Sequence, residues 1–175
     1  MKPRGAYALV MAGVVALDQL TKWLVVRSLD LHEYRPLVDG LLSLSHVRNR
    51  GAAFGILSDA DLPYQSLLFS ALSFVALVAI AVYAYRLPRE ARLPRTALTL
   101  VLAGAVGNLI DRVRLGYVVD FIHVYWRQYQ WPDFNVADSA ISIGVALLIL
   151  DILRSPHPRS HAGMTEMASS TGRTD

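Results

Sequence analysis

The feature that most limits the possible folds is a series of long apolar segments. A helix needs about 20 residues to cross a bilayer, and four of these segments approach that length. They cover residues 7–26, 62–85, 96–110 and 136–153. Hydrophobic residues make up 54% of the 175-residue chain, more than a soluble domain usually contains. We therefore predict a mainly α membrane protein with four transmembrane helices.

The first apolar segment superficially resembles a secretory signal peptide, because Lys2 and Arg4 precede it. It is long, however, and it contains Asp18 and Lys22 without a convincing small-residue cleavage site. These features favour a retained first transmembrane helix over a cleaved leader.

The short loop of residues 86–95 carries the clearest topology signal, since it contains four arginines and two prolines. Short arginine-rich loops between membrane spans lie in the cytoplasm. With four spans, both termini are then cytoplasmic and the two longer connections, residues 28–63 and 113–132, lie outside. This topology predicts that the unusual polar residues of the spans meet at the outer face.

The two outer connections contain strand-like segments. Residues 41–47 alternate partly in polarity, and residues 118–125 are β-branched and aromatic, which is typical of short strands. Residues 47–55 contain two glycines and an asparagine among small residues. This composition favours an ordinary turn, although it also permits close approach to a ligand.

Three carboxylates, Asp111, Asp120 and Asp138, lie in or beside strongly apolar sequence. An ionisable group next to hydrocarbon is costly unless it is paired or serves a function. Asp111 is adjacent to Arg112, so the two could form a buried ion pair or belong to a site. Asp138 falls in the first turn of the fourth helix, for which Asn135 is a suitable N-cap.

The first and third helices carry further polar or small residues. Asp18 and Lys22 are four apart and can pair on one helix face, either to support packing or to support a site. Ala103, Gly104 and Gly107 allow close helix approach in lipid, and Asn108 follows them towards the outer end of the third helix.

Composition removes several kinds of chemistry. The chain has no cysteine, which excludes disulfides, Cys-ligated zinc and a thiol nucleophile. His46 and His123 show no zinc-ligand spacing, and we interpret them as surface or interfacial residues. Ser139 and Ser142 lack a histidine in a suggestive context. The net charge of +3 is modest and does not indicate nucleic-acid binding.

Asp120 and Asp138 could act together. If they lie within a few ångströms, they cannot both be ionised, and the arrangement resembles that of an aspartic protease. The spacing alone also permits simple ion pairing, a proton relay in an ion-coupled carrier, or a membrane chaperone that binds signal peptides without catalysis.

Five motifs resemble the bacterial lipoprotein signal peptidases (signal peptidase II) in the order of that family. They are Asp18-Gln-Leu-Thr-Lys22, Asn49-Arg-Gly51-Ala-Ala-Phe54, Gly104-Ala-Val-Gly107-Asn108-Leu-Ile-Asp111-Arg112, Val118-Val-Asp120-Phe121 and Phe134-Asn135-Val-Ala137-Asp138-Ser139. The resemblance implies that Asp120 and Asp138 are the catalytic pair. It implies substrate-binding or supporting roles for Asn49, Gly51, Asn108, Arg112, Asn135, Ala137, Asp18, Lys22 and Asp111.

The resemblance further implies an aspartic endopeptidase of the bacterial cytoplasmic (inner) membrane, with its active site at the outer face. Its substrate is a prolipoprotein cut before a diacylglyceryl-modified cysteine, and membrane lipid surrounds it. The outer connections form a small extracytoplasmic β-rich platform and a lid-like interfacial segment. We expect no cofactor or metal, a monomer, one peptidase domain over residues 1–155, and a disordered polar cytoplasmic tail over residues 156–175.

Overall fold

Two strands lie between the first and second helices, and two more lie between the third and fourth helices. The computed structural model describes residues 3–51, 64–88 and 90–154. The elements in chain order are α1 (Pro3–Ser28), β1 (Tyr34–Val38), β2 (Leu42–Asn49), α2 (Gln65–Arg86), α3 (Arg92–Leu115), β3 (Val118–Trp126), β4 (Tyr129–Gln130) and α4 (Val136–Arg154). All four helices are long and apolar enough to cross a membrane, which confirms the predicted mainly α membrane fold. The predicted tail, residues 156–175, lies outside the described residues.

The third helix is longer than the predicted 96–110, because polar residues extend it at both ends. It begins at Arg92, so Pro94 lies in its first turn, where the missing N–H has no intrahelical partner to lose. It continues past Asp111 and ends at Gly116, whose left-handed φ of 80° allows its N–H to bond the Arg112 carbonyl at 3.0 Å. This C-cap is typical of glycine.

The four strands form one antiparallel sheet in the order β1–β2–β3–β4. The predicted strand over residues 41–47 extends to Asn49, so the first part of the predicted turn is wrong. Residues 52–55 of that turn lie outside the described residues. β1 was not predicted, because its five exposed residues include Pro36 and show no alternation. It is an edge strand, where a proline is tolerated.

Strand pairing places the polar residues of β2 and β3 next to the start of α4. Val47 pairs with Asp120, and Asn49 pairs with Val118. The carbonyl of Phe134 accepts the N–H groups of Phe121 and Ile122 at 3.0 and 2.8 Å. Because these bonds hold the residue before Asn135 against β3, Asn135 lies beside Asp120.

The helix α3 packs closely on both α1 and α4 through its small residues. A Cβ atom built on Gly104 would lie 2.2 Å from the Ala137 carbonyl oxygen of α4, and one on Gly107 would lie 2.6 Å from Oδ2 of Asp18 on α1. Lipid offers no hydrophobic drive for helix association, so such contacts rely on close packing. The predicted small-residue interface is confirmed.

We expect Gly104→Ala to destabilise the protein by about 1–3 kcal/mol, because the backbone oxygen of Ala137 cannot move without shifting α4. Gly13→Ala is the matched control, since a Cβ there meets no atom within 4 Å and alanine favours a helix. Unfolding in detergent micelles measures both. Equal shifts for the two variants would contradict the packing argument.

The bundle has a polar end and an apolar body. The sheet lies at the C-terminal ends of α1 and α3, and the arginine-containing connection between α2 and α3 lies at the opposite end. The helix α2 is apolar, with none of its spanning window buried inside the protein, which fits contact with lipid. Which face of the membrane holds each end stays a prediction from the arginine pattern, and the lid-like segment also stays a prediction.

Candidate active site

Asp120 lies in the middle of β3 and is almost completely buried, at 2% exposure. Asn49 Nδ2 donates to its Oδ2 at 3.0 Å, and Asn135 Nδ2 donates to its Oδ1 at 2.6 Å. Burial, with a further contribution from the negative charge of Asp138, raises the pKa of Asp120 to about 7, against the lowering effect of the two amide donors. Asp120 can therefore hold or release a proton near neutral pH.

Asp138 lies at the third position of α4 and takes part in the helix cap. Its backbone N–H donates to Asn135 Oδ1 at 2.9 Å, and its own Oδ2 accepts the Asn135 N–H at 3.3 Å. This reciprocal pair has the geometry of a capping box. The remaining oxygen, Oδ1, accepts Asn108 Nδ2 at 2.8 Å. The predicted Asn135 cap is confirmed.

Asn135 joins the two carboxylates. It is fully buried, and its side chain donates to Asp120 while accepting from the backbone of Asp138. Its Nδ2 also lies 3.2 Å from Asn108 Oδ1. The structure therefore brings Asp120 and Asp138 to one asparagine, and we call these two residues the aspartate pair.

A separate ionic cluster lies beneath the aspartate pair. Lys22 Nζ lies 2.9 Å from Asp18 Oδ2, from Asp111 Oδ2 and from Asn108 Oδ1. All four side chains are buried. The predicted pairing of Asp18 with Lys22 is confirmed, and we call Asp18, Lys22 and Asp111 the lysine cluster.

The lysine cluster also fixes the backbone at the site. Asp18 Oδ1 accepts the N–H of Ala137 at 2.9 Å, and Asp111 Oδ2 accepts the N–H of Val119 at 3.2 Å. Ala137 and Val119 each adjoin a member of the aspartate pair in sequence. The two carboxylates that Lys22 neutralises thus also position the backbone next to the aspartate pair.

The prediction that Asp111 and Arg112 could form an ion pair is wrong, because each has a different partner. Adjacent residues on a helix do not face each other, so Asp111 faces α1 while Arg112 faces β2. Arg112 Nη2 donates to the Gly51 carbonyl at 3.1 Å, and the Gly51 N–H donates to Asn49 Oδ1 at 2.9 Å. The half-buried guanidinium of Arg112 also lies within electrostatic range of Asp138 and Asp120, whose negative charges favour its positive charge.

The partners of the carboxylates distinguish their roles. Within residues 3–51, 64–88 and 90–154, Asp18 and Asp111 each form a salt bridge with Lys22, whereas neither Asp120 nor Asp138 forms one. The aspartate pair is held by amide donors instead. Without an ion pair to fix its charge, it is the part of the network that can exchange a proton.

Two apolar clefts border α4 and share Asp138 and Ile141 in their linings. One of about 330 Å³ lies among α2, α3 and α4 and has Asn49, Asn108 and Arg112 at its polar end. The other, of about 400 Å³, runs along α4 past Ile141 and Ile149. Both clefts therefore offer an apolar ligand access to the half-buried Asp138.

The prediction that both histidines are surface or interfacial is wrong, since His46 and His123 are buried. His46 Nδ1 lies 3.0 Å from the carbonyl of Leu29 at the end of α1. His123 Nδ1 lies 3.3 Å from Asp133 Oδ1, which also accepts a short hydrogen bond from Ser45. The two contacts of Asp133 tie the segment before Asn135 to the sheet.

Sequence reasoning missed Gln19, Ser45 and Asp133. Gln19 Nε2 donates to Asp111 Oδ1 at 2.9 Å, so a second side chain of α1, besides Lys22, binds this aspartate of α3. An amide side chain within an apolar helix, next to Asp18, was the available signal. In the part of the chain that the structure describes, no group of three or more His, Asp or Glu side chains is placed to hold a metal ion.

The fold and site define a class: a multi-pass membrane protein with one buried and one half-buried carboxylate, both held by amide donors, at the edge of its apolar bundle. A family model described as signal peptidase (SPase) II matches residues 10–154. The chain therefore belongs to the signal peptidase II family and is a membrane peptidase.

Known relatives agree with this assignment. The chain is 49% identical to the lipoprotein signal peptidase of Geobacter metallireducens over 161 residues, which covers 91% of this chain and 98% of the relative. It is 52% identical to that of Geobacter sulfurreducens over 145 residues, covering 83% and 89%. A solved bacterial membrane enzyme, determined by the in meso method, superposes with a TM-score of 0.79 at 32% identity, covering 92% of this chain and 95% of the other.

Proposed function

We propose that this peptidase is an aspartic endopeptidase that removes the signal peptide from diacylglyceryl-modified prolipoproteins by cleaving before the lipidated cysteine. The observation that carries the proposal is the aspartate pair, joined by Asn135 and lacking any salt bridge among the described residues. The relatives named lipoprotein signal peptidases supply the substrate class.

In the proposed mechanism Asp138 is the general base and Asp120 the general acid. Asp138 lines both clefts, so it can reach a water beside the scissile bond. Asp120 retains a proton at near-neutral pH, because burial raises its pKa to about 7. A neutral and an ionised carboxyl group are the two species that acid–base hydrolysis requires.

The proton transfers balance without a covalent enzyme intermediate. Asp138 removes a proton from water while the water oxygen attacks the peptide carbonyl carbon, and Asp120 donates its proton to the carbonyl oxygen. As the tetrahedral intermediate collapses, the C–N bond breaks, Asp138 returns its proton to the leaving nitrogen, and Asp120 recovers the hydroxyl proton. Water is consumed, and both carboxyl groups regain their starting states.

The remaining polar residues position substrate and catalysts. Arg112 and Asn49 fix the strand end at Gly51, which borders the polar end of one cleft, so this edge can contact the substrate backbone. Asn108 and Asn135 orient the aspartate pair. Ala137 leaves room for Gly107 and donates its N–H to Asp18.

The two clefts suit a substrate with two apolar parts. A prolipoprotein carries an apolar signal segment on one side of the scissile bond and a diacylglyceryl group on the other. Two clefts that meet at Asp138 can hold both parts while the bond lies at the carboxylates. The site then works as a monomer at the outer face of the bacterial cytoplasmic membrane.

We expect activity to fall as pH rises above about 7, because Asp120 then loses the proton it must donate. The raised pKa has a matching effect on stability: the folded state binds this proton more tightly than the unfolded state, whose ordinary value is 3.8. Its contribution is present below that value and is lost as pH rises through about 7. The measurements are kcat/KM and the unfolding temperature across pH 5–8.

Asp120→Asn isolates the stability effect, since asparagine does not titrate. The difference in unfolding temperature between the variant and the wild type should grow in favour of the variant from pH 5 to pH 8. The exposed Asp39 provides the control variant Asp39→Asn, which should follow the wild type. Parallel curves for the wild type and Asp120→Asn would contradict the assignment of the proton to Asp120.

The experiment that tests the function is cleavage of a lipidated prolipoprotein by the purified protein and by variants of the aspartate pair. The same prolipoprotein before lipidation is the substrate control. Cleavage of both substrates at equal rates would leave a peptidase but overturn the requirement for the diacylglyceryl group.

A further inference from the structure

A third groove lies on the far side of the lysine cluster from Asp138. It has a volume of about 210 Å³ and is formed by the C-terminal ends of α1 and α3 together with Val119. Lys22 and Asp111 lie at its floor, but no member of the aspartate pair lines it. The groove is therefore separate from the proposed active site, at the same end of the bundle.

Two arginines flank this groove. Arg27 lies in the last turn of α1 and Arg114 in the last turn of α3, and both are exposed. The guanidinium of Arg27 lies 4.1 Å from the ring centroid of Trp23, which restrains it while its N–H edge stays free to donate. Neither arginine forms a salt bridge with a residue that the structure describes.

An arginine at a helix C-terminus also has an ordinary explanation, since it stabilises the helix dipole. Arg86 and Arg154 occupy the same positions at the ends of α2 and α4. The difference is that Arg27 and Arg114 converge on one groove. A guanidinium pair with free donors matches the geometry of a phosphate group, which arginine binds through paired hydrogen bonds.

The walls of the groove are apolar and partly exposed. Trp23, Val26 and Leu115 have exposed fractions of 48%, 47% and 45%. Tryptophan is typical of the boundary between lipid and water. The arrangement, with cations at the rim and apolar side chains along the helices, fits a molecule with a charged head and a hydrocarbon tail.

The volume and charge of the groove narrow the ligand further. The groove has a volume of about 210 Å³, whereas pockets that enclose a whole small ligand have volumes of about 300–1,000 Å³. It therefore fits a lipid headgroup whose acyl chains lie outside the groove. Lys22 is already paired with two carboxylates, so the floor adds no free positive charge. The two arginines must supply the attraction, and a zwitterionic choline or ethanolamine headgroup, whose ammonium group offsets its phosphate charge, should bind them more weakly than an anionic headgroup.

We propose that the groove between the ends of α1 and α3 binds the headgroup of an anionic phospholipid, with Arg27 and Arg114 holding its phosphate. Basic pockets between transmembrane helices bind anionic headgroups at the cytoplasmic membrane face, and this groove offers the same basic chemistry at the end of the bundle that carries the sheet. The bound lipid would cover the lysine cluster, which holds Asn108 and through it Asp138. The proposal does not depend on the catalytic roles of the aspartates.

The test is native mass spectrometry of the full chain, released from micelles that contain phosphatidylglycerol or phosphatidylcholine. The wild type should retain phosphatidylglycerol in preference to phosphatidylcholine. The double variant Arg27→Gln/Arg114→Gln should lose about tenfold or more of this affinity, since each tenfold corresponds to the loss of about one charge-assisted hydrogen bond. Arg27→Lys/Arg114→Lys should retain an intermediate affinity, because lysine keeps the charge but not the paired donors.

The matched control is Arg86→Gln/Arg154→Gln, which removes the same charge from the last turns of the other two helices and should leave lipid retention unchanged. An equal loss in this control would show a general charge effect and overturn the site. Undiminished retention by Arg27→Gln/Arg114→Gln would also overturn it. If inorganic phosphate raises the unfolding temperature of the wild type as much as phosphatidylglycerol does, the ligand is a free anion and the lipid assignment is wrong.

Discussion

Asp120→Asn and Asp138→Asn are each expected to lower cleavage of a lipidated prolipoprotein by about 10²–10⁴-fold, the range that a positioned general acid or base contributes. Asparagine keeps the size of the side chain and can still accept hydrogen bonds from Asn135 and Asn108. It cannot donate the proton of the acid or accept that of the base. The measurement is the initial rate of signal-peptide release by purified variants in micelles.

The double variant Asp120→Asn/Asp138→Asn should be little worse than either single variant, because residues that act as one catalytic unit are not additive. Asp39→Asn, at an exposed carboxylate, should cleave at the wild-type rate. A protein that only binds signal peptides would tolerate both substitutions. Substantial cleavage by either single variant would contradict catalysis by the aspartate pair.

The helices were predictable because their signals are local. The fourth helix ends one residue beyond its predicted end at Leu153, and its Asn135 cap was identified from residue type. The third helix was predicted too short, because Arg92 and Asp111 were judged by polarity alone. A buried partner for Asp111 makes a charged turn compatible with the helix, and that partner lies on another element.

The network of the site could be predicted only in part, since its bonds join residues that are far apart in sequence. Asp18 and Lys22 were paired correctly from their spacing on one helix. Asp111 was placed beside its sequence neighbour Arg112, whereas the fold gives it Lys22. The link from Asp120 through Asn135 depends on strand register and on the bridge between Ile122 and Phe134, which no local pattern encodes.

The sheet, too, was predictable only where its signals are local in sequence. β3 was predicted from its β-branched and aromatic residues, but β1 has no burial pattern and forms because β2 offers it a free edge. The histidines were misjudged because burial on the sheet arises from cross-strand neighbours. His123 is stacked on Tyr125 and meets Tyr34 edge-on.

The charges of the site divide into a fixed part and a labile part, and this division explains why four acidic residues can share one end of the bundle. Lys22 neutralises Asp18 and Asp111 at 2.9 Å each. The aspartate pair is left with amide partners. A second lysine at the pair would hold both carboxylates ionised, so the absence of a salt bridge there, among the described residues, is what leaves Asp120 free to carry a proton.

Removing the cation from the lysine cluster should therefore have the largest effect on stability. We expect Lys22→Met to destabilise the protein by about 3–5 kcal/mol, the cost of leaving a buried charge without its partner. Methionine fills a similar volume, so packing changes little. Unfolding in detergent measures the loss, and Arg92→Met, at an exposed cation on α3, should change stability little.

The triple variant Asp18→Asn/Lys22→Met/Asp111→Asn separates charge from packing. Its asparagine oxygens can still accept the N–H groups of Ala137 and Val119, but no uncompensated charge remains. Because replacing a whole buried ionic group is far less costly than removing one partner, we expect the triple variant to recover most of the stability that Lys22→Met loses. A triple variant as unstable as Lys22→Met would show that Lys22 acts through its packing or its bond to Asn108, and would contradict a charge-balancing role.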